Sequence, residues 1–167
     1  MRIRAGGEAD IDAIMAMADE AVEWMVSRGN TEQWGTQLWS RMPTRLASVT
    51  NMVKEADTWI AELDGEPVGV MVTADKPVPQ VNPIDEPEVY VWLLLTSRRH
   101  AGKKIGTQLL DKAVSIARAK GVSLLRVDCF AGGDGDLIRY YERHGFVKSH
   151  TYKSIFDWPG QVLSRRI

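Results

Sequence analysis

The residues best suited to chemistry form one basic, glycine-bearing run: Arg98-Arg99-His100-Ala101-Gly102-Lys103-Lys104-Ile105-Gly106. The apolar stretch Tyr90 to Leu95 precedes it, and the amphipathic stretch Thr107 to Lys120 follows. That order reads as a buried strand, a short loop and the start of a helix. Such a junction binds anions, because the first helical N–H groups lack intrahelical acceptors and the helix dipole is positive there. Arg98, Arg99, Lys103 and Lys104 gather positive charge beside it. Out of context, the same run also suits a solvated basic loop. The sequence contains neither G-x-x-x-x-G-K-[ST] nor G-x-G-x-x-G. A Walker-type phosphate loop and a dinucleotide fingerprint are therefore excluded.

A second stretch lies further along. Asp128-Cys129-Phe130-Ala131-Gly132-Gly133-Asp134-Gly135 leads into Asp136-Leu137-Ile138-Arg139-Tyr140-Tyr141-Glu142-Arg143-His144-Gly145-Phe146. In this order the two blocks resemble the GNAT-type, acyl-CoA-dependent N-acetyltransferase superfamily, and the resemblance covers most of the chain. Its pyrophosphate loop is written Q/R-x-x-G-x-G/A, and the ending Y-E-x-x-G-F is similar to its segment after the fifth strand. Aligned on Gly106, Ala101 stands where the family has Gln or Arg, and Lys104 stands where it has the first Gly. Aligned on Arg99 and Gly102, the final glycine comes two residues late.

The resemblance implies an acyltransferase that moves an acetyl group from acetyl-CoA directly to a primary amine of a small molecule or peptide. It places the pantetheine arm along Leu94, Leu95 and Thr96, whose backbone amides would also polarise the thioester carbonyl. The pyrophosphate falls on Arg99, Ala101, Gly102, Lys103, Lys104, Ile105, Gly106 and Thr107, and Asp134 and Tyr140 complete the expected cofactor contacts. Tyr141, in the Y-x-x-x-G-F block, is the expected proton donor to the departing thiolate. Trp24, Gln33, Trp34 and Trp39 lie in the segment that would cover the acceptor site, although tryptophans also cover cores and subunit contacts. The base for the amine is Glu88, Asp128 or an ordered water, and a carboxylate ending a strand is also a common solvated cap. Cys129 reads as a small buried residue, not an acyl carrier. His100, His144 and His150 show no metal spacing, so no metal is expected. A CoA-binding sensor or regulatory domain without turnover is the alternative function, and a phosphate-binding interaction domain unrelated to CoA is the more distant one.

The elements that must hold these residues follow from pattern. Ile3 marks a short strand, and Ile11 to Met25 repeat at helical spacing behind Asp10, a plausible cap, with Gly29-Asn30 as the stop. Pro43-Thr44 opens a second helix with Leu46, Val49 and Val53 as its buried stripe. Thr58 to Leu63 and Val68 to Thr73 are strands around Asp64-Gly65, a hairpin signal. Pro77, Pro79, Pro83 and Pro87 exclude regular structure from Ala74 to Glu88. Tyr90 to Leu95 reads as a central strand buried on both faces. Helix Thr107 to Lys120, strand Val122 to Val127, a turn at Gly132 to Gly135 and a helix ending at Gly145 follow, with Asp134 or Asp136 as a cap. A strand from Phe146 to Phe156 and a short one at Val162-Leu163 close the chain. The order β-α-α-β-β-β-α-β-α-β-β is that of the GNAT fold. It is an α/β (α+β) class with a mixed central sheet of about six to seven strands, helices on both faces and splayed central parallel strands.

At 167 residues, a single domain spanning 1–167 can bury a core without metals or disulfides. The formal net charge is −1, which gives no reason to expect nucleic acid or an anionic membrane as partner. One cysteine and no charged-then-apolar leader favour a cytoplasmic protein. No run approaches the ~18 apolar residues of a membrane helix. Six tryptophans exceed what a core of this size needs. The surplus points to a lined site or to a homodimer contact.

Overall fold

The computed structural model describes residues 1–167. Its elements are β1 (Arg2–Ala5), α1 (Ile11–Ser27), α2 (Pro43–Glu55), β2 (Asp57–Leu63), β3 (Glu66–Ala74), β4 (Val89–Thr96), α3 (Ile105–Ala119), β5 (Leu124–Phe130), α4 (Asp136–Arg143), β6 (Val147–Lys153) and β7 (Pro159–Arg166). This is the expected order. The strands form one seven-stranded mixed sheet, β1-β2-β3-β4-β5-β7-β6. β4 and β5 run parallel, with Tyr90 opposite Arg126 and Val91 opposite Val127. β7 is antiparallel to both β5 and β6. The chain divides into two compact units, Met1–Val72 with Leu93–Leu109, and Thr73–Trp92 with Leu110–Ile167. No helix is long and apolar enough to cross a membrane.

In the first unit, α1 buries Ile14, Met15, Ala18, Val22 and Met25, the stripe its spacing required. Asp10 does not cap α1 through its side chain. Its carboxylate accepts the Gly7 N–H at 3.0 Å and pairs with Arg4 at 2.7 Å, since a guanidinium is the stronger partner. Arg4 also meets Glu62 at 2.6 Å, so one guanidinium joins β1, β2 and the start of α1. Pro43 begins α2, and Val49 and Val53 are buried as expected. Leu46, expected in the same stripe, is 46 % exposed. Asp64 (φ 51°) and Gly65 (φ 80°) supply the two left-handed residues of a tight hairpin between β2 and β3. Gly69 is where α3 comes close to β3: a Cβ there would collide with Ile105 and crowd Leu109.

In the second unit the proline-bearing segment after β3 has neither helix nor strand, as expected. It packs Val81 against Tyr90 and Val162, with Val78, Trp92 and Tyr152 at the border. The indole N–H of Trp92 donates to the Lys76 carbonyl at 2.8 Å. β5 starts and ends later than its apolar run suggested, so Asp128 lies inside the strand. β6 stops at Lys153, not Phe156. There the Ser154 and Asp157 amides close a turn that leaves Ile155 and Phe156 exposed. The largest correction concerns the last strand. Expected as two residues, β7 has eight and lies between β5 and β6. Its Gly160 and Gln161 disguise it, yet Gln161 is buried with its amide donating to the His150 and Val162 carbonyls.

β4 departs from expectation midway. Tyr90, Val91 and Leu95 are buried, but Trp92, Leu93, Leu94 and Thr96 keep part of their surface open. A strand inside a seven-stranded sheet is ordinarily covered on both faces.

Candidate functional site

From Ser97 the chain makes one turn of 3-10 helix (Arg98–His100), passes Gly102 at φ +85° and Lys104 at φ +57°, and enters α3 at Ile105. Lys104 therefore holds the left-handed backbone that a glycine adopts without strain, at the position where the resembled loop has its first glycine. For a side-chain-bearing residue this costs roughly 1–2 kcal/mol. Its side chain is exposed, as are Ala101, Gly102 and Lys103. The Gln108 amide bonds to the Lys104 carbonyl at 3.1 Å, so the Ile105 and Gly106 amides precede the first intrahelical bond of α3.

One carboxylate fixes the entry to this loop. Glu20 Oε2 accepts the Ser97 hydroxyl at 2.9 Å and the Arg98 amide at 3.0 Å, and Oε1 accepts Arg99 Nε at 3.0 Å. Burial raises the Glu20 carboxyl, but these donors outweigh it and hold the group below its ordinary range. Arg99 also reaches Glu66 at 2.9 Å. Expected as a phosphate ligand, Arg99 is instead held between two carboxylates, which neutralise its charge. Lys103 and Lys104 are exposed too, with no salt bridge to a carboxylate.

The residues expected at the acceptor pocket divide. The Trp24 ring carries the Arg98 guanidinium at 3.7 Å and Arg28 at 5.0 Å from its centroid. Gln33 meets the Asn30 side chain at 3.4 Å. Trp34 packs on Trp39 with centroids 4.5 Å apart, and Arg45 covers Trp39 at 4.6 Å. Trp39 is buried, so Trp34, Gln33 and Trp24 carry the open surface of this group.

The second unit gathers the proton-transfer candidates. Glu88 is 4 % and Arg126 3 % exposed, and both Glu88 oxygens are bound by that guanidinium, at 2.6 and 3.1 Å. Accepting a proton there would break a buried bidentate pair, which removes Glu88 as a free base. Asp128 differs. Half-buried, it accepts the Tyr90 hydroxyl on Oδ1 at 2.8 Å and the Tyr152 hydroxyl on Oδ2 at 2.5 Å. Burial raises its pKa, and the Tyr152 and Tyr90 hydroxyls offset part of that rise. Next along β5, burial with the Asp128 charge pushes the Cys129 thiol up to about 12, so it stays protonated and unreactive.

Tyr141 is buried on α4, edge-on to Tyr140 at 5.3 Å and to Phe146 at 5.6 Å. Burial, then its neighbours Cys129, Tyr140 and Asp128, drive its pKa upward, which keeps it in the proton-bearing form. Tyr140 stacks on His144 at 4.5 Å. Asp134 is exposed, and its carbonyl accepts Arg139 at 2.6 Å. Neither Asp134 nor Asp136 caps α4 through its side chain: Arg139 draws Asp136, and Gly135 takes the cap position in a left-handed conformation. Sequence reasoning missed Glu20, Tyr90, Tyr152 and Gly160. Gly160 faces Tyr152 across β6–β7, and a Cβ on it would run into the Tyr152 ring.

Comparison with known proteins follows the same lines. The chain is 24% identical over 142 residues to YesJ, an uncharacterized N-acetyltransferase of Bacillus subtilis (strain 168), covering 82% of this chain and 76% of that one. The PaiA N-acetyltransferase of Thermoplasma acidophilum, solved in complex with coenzyme A, superposes with a TM-score of 0.73 at 17% identity, covering 99% and 98% of the two chains. YncA of Salmonella typhimurium, solved with its cofactor acetyl-CoA, gives 0.66 at 19% identity over 99% and 93%. Residues 20–146 match the acetyltransferase (GNAT) family, and the chain belongs to that family.

Proposed function

We propose that this protein transfers an acetyl group from acetyl-CoA to a primary amine of a small molecule or peptide, without a covalent enzyme intermediate. Acetyl-CoA would supply the activated acetyl thioester and a pyrophosphate to hold. The observation that carries the reading is Lys104. A lysine at the first-glycine position of the resembled loop takes a left-handed backbone, the conformation that a glycine adopts without strain. The Gly102 amide, the Lys104 to Gly106 amides and the Lys103 and Lys104 ammonium groups then suit a pyrophosphate, the Lys103 amide being taken by the His100 carbonyl. The open surface of Leu94 and Thr96 on β4 suits an extended arm, with backbone amides able to polarise a carbonyl. Tyr141, held protonated by burial, donates to the departing sulfur. The protonated Cys129 argues for direct transfer.

Thermal stabilisation by acetyl-CoA but not by ATP, followed by free-thiol release on adding primary amines, tests the reading. Saturation at 100 times Kd adds about 2.7 kcal/mol. Binding without thiol release for any amine would make the chain a CoA-binding sensor or regulatory domain. Equal stabilisation by ATP would overturn the reading.

A further inference from the structure

Resting on the proposed acetyl transfer, we infer that Asp128, held by the Tyr90 and Tyr152 hydroxyls, is the anchor and base for an acceptor that arrives as an ammonium on an apolar body. The carboxylate is partly open, and its two tyrosine donors occupy one site on each oxygen. A carboxylate offers about four acceptor sites; the two tyrosines and its own backbone amide take three, which leaves one for an N–H donor. Glu88, the other base candidate on this unit, is paired with Arg126 and buried, whereas Asp128 is partly open. Beside it the Tyr152 ring keeps part of its surface open, as do Val78 and Trp92 at the border of the adjoining core cluster. One negative charge among aromatic and aliphatic groups recognises a single ammonium on an apolar or aromatic body better than a polyamine.

The chemistry closes. The ammonium gives one proton to Asp128, and the freed lone pair forms the C–N bond to the carbonyl carbon of the acyl-CoA thioester. The C–S bond then breaks with its electron pair on sulfur. Nitrogen loses its second proton as the amide forms, and the leaving thiolate gains one through Tyr141. Asp128 releases its proton to solvent, so one ammonium and one thioester yield one amide, one thiol and one proton. Tyr90 and Tyr152 are positioning residues. Other titratable groups facing this carboxylate are Arg126 and Cys129 on β5 and Tyr141 on α4.

The test uses phenethylamine and its neutral counterpart 2-phenylethanol with the full chain. Calorimetry should show binding of phenethylamine and not of 2-phenylethanol, weakened at least tenfold in Asp128→Asn. Thiol release should fall ~10²–10⁴-fold in kcat/KM in that variant, with acetyl-CoA affinity unchanged. The acid limb of the kcat/KM profile should vanish in Asp128→Asn. In Tyr152→Phe it should move to higher pH, because removing a hydrogen bond to the carboxylate favours its protonated form. If Asp128→Asn does not fold, the Tyr152→Phe limb alone decides. An unmoved limb, undiminished amine binding in Asp128→Asn, or a wild type that binds acetyl-CoA but neither binds nor acetylates phenethylamine overturns the assignment. Failure to bind acetyl-CoA at all instead removes the transferase reading beneath it.

Discussion

Tyr152 on β6 reaches Asp128 on β5 across the intervening strand β7, donating its hydroxyl to Oδ2 at 2.5 Å. The reach depends on Gly160, paired with Tyr152 in the β6–β7 ladder, because a side chain there would occupy the space of the ring. Gly160→Ala should therefore displace Tyr152 and cost about 1–3 kcal/mol of overpacking. Urea denaturation reads the stability. Wild-type stability in Gly160→Ala would show that the ring has room to move.

Glu88 and Asp128 were equal candidates for the base, and their surroundings separate them. Glu88→Gln leaves Arg126 buried without its counter-charge, at a cost of about 3–5 kcal/mol. Among molecules that still fold, the acid limb of kcat/KM should persist. Loss of that limb with normal stability would reinstate Glu88 as the base.

Lys104 gives two effects of opposite sign. Lys104→Gly relieves left-handed strain but adds backbone freedom to the unfolded chain, so stability should stay level or rise by up to about 1 kcal/mol. Acetyl-CoA affinity should fall severalfold, because an exposed cation leaves the phosphate loop. Unchanged affinity, measured by calorimetry at low and moderate salt, would show that the ammonium points away from the ligand.

Tyr141→Phe keeps the ring that packs on Tyr140 and Phe146 and removes only the hydroxyl. It should lower kcat by ~10²–10⁴ with acetyl-CoA affinity intact, whereas Tyr140→Phe should be mild. Near-normal kcat in Tyr141→Phe, with chemistry rate-limiting, contradicts the donor role.

The Arg4–Asp10 pair sets an acid dependence of stability. Its guanidinium holds Asp10 below the ordinary carboxylate range, with burial opposing and the Gly7 amide assisting. A carboxyl depressed in the folded state stabilises fully above its unfolded pKa of about 3.9, and that stabilisation is lost as pH falls through the folded value. Asp10→Asn should accordingly be less stable at neutral pH, with the difference shrinking below about pH 4. Denaturation midpoints across pH 2–7 measure it.

Local pattern showed the α1 stripe and the Asp64-Gly65 hairpin, because those signals lie in neighbouring residues and depend on local backbone geometry; the element order came partly from such pattern and partly from the family resemblance. The basic loop and the Tyr141 block were legible for the same reason: each is continuous in sequence. What the sequence left open was whatever depends on pairing at long range. β7 looked like two apolar residues because its Gly160 and Gln161 are polar or bare in sequence, and only the fold supplies the Tyr152 ring and the β6 carbonyl that explain them. Glu20 organises a loop 77 residues away, and Tyr90 and Tyr152 meet on Asp128 from separations of 38 and 24 residues. Side-chain hydrogen bonds carry no spacing rule along the chain, so the tertiary structure alone distinguishes the buried, arginine-paired carboxylate of Glu88 from the partly open one of Asp128.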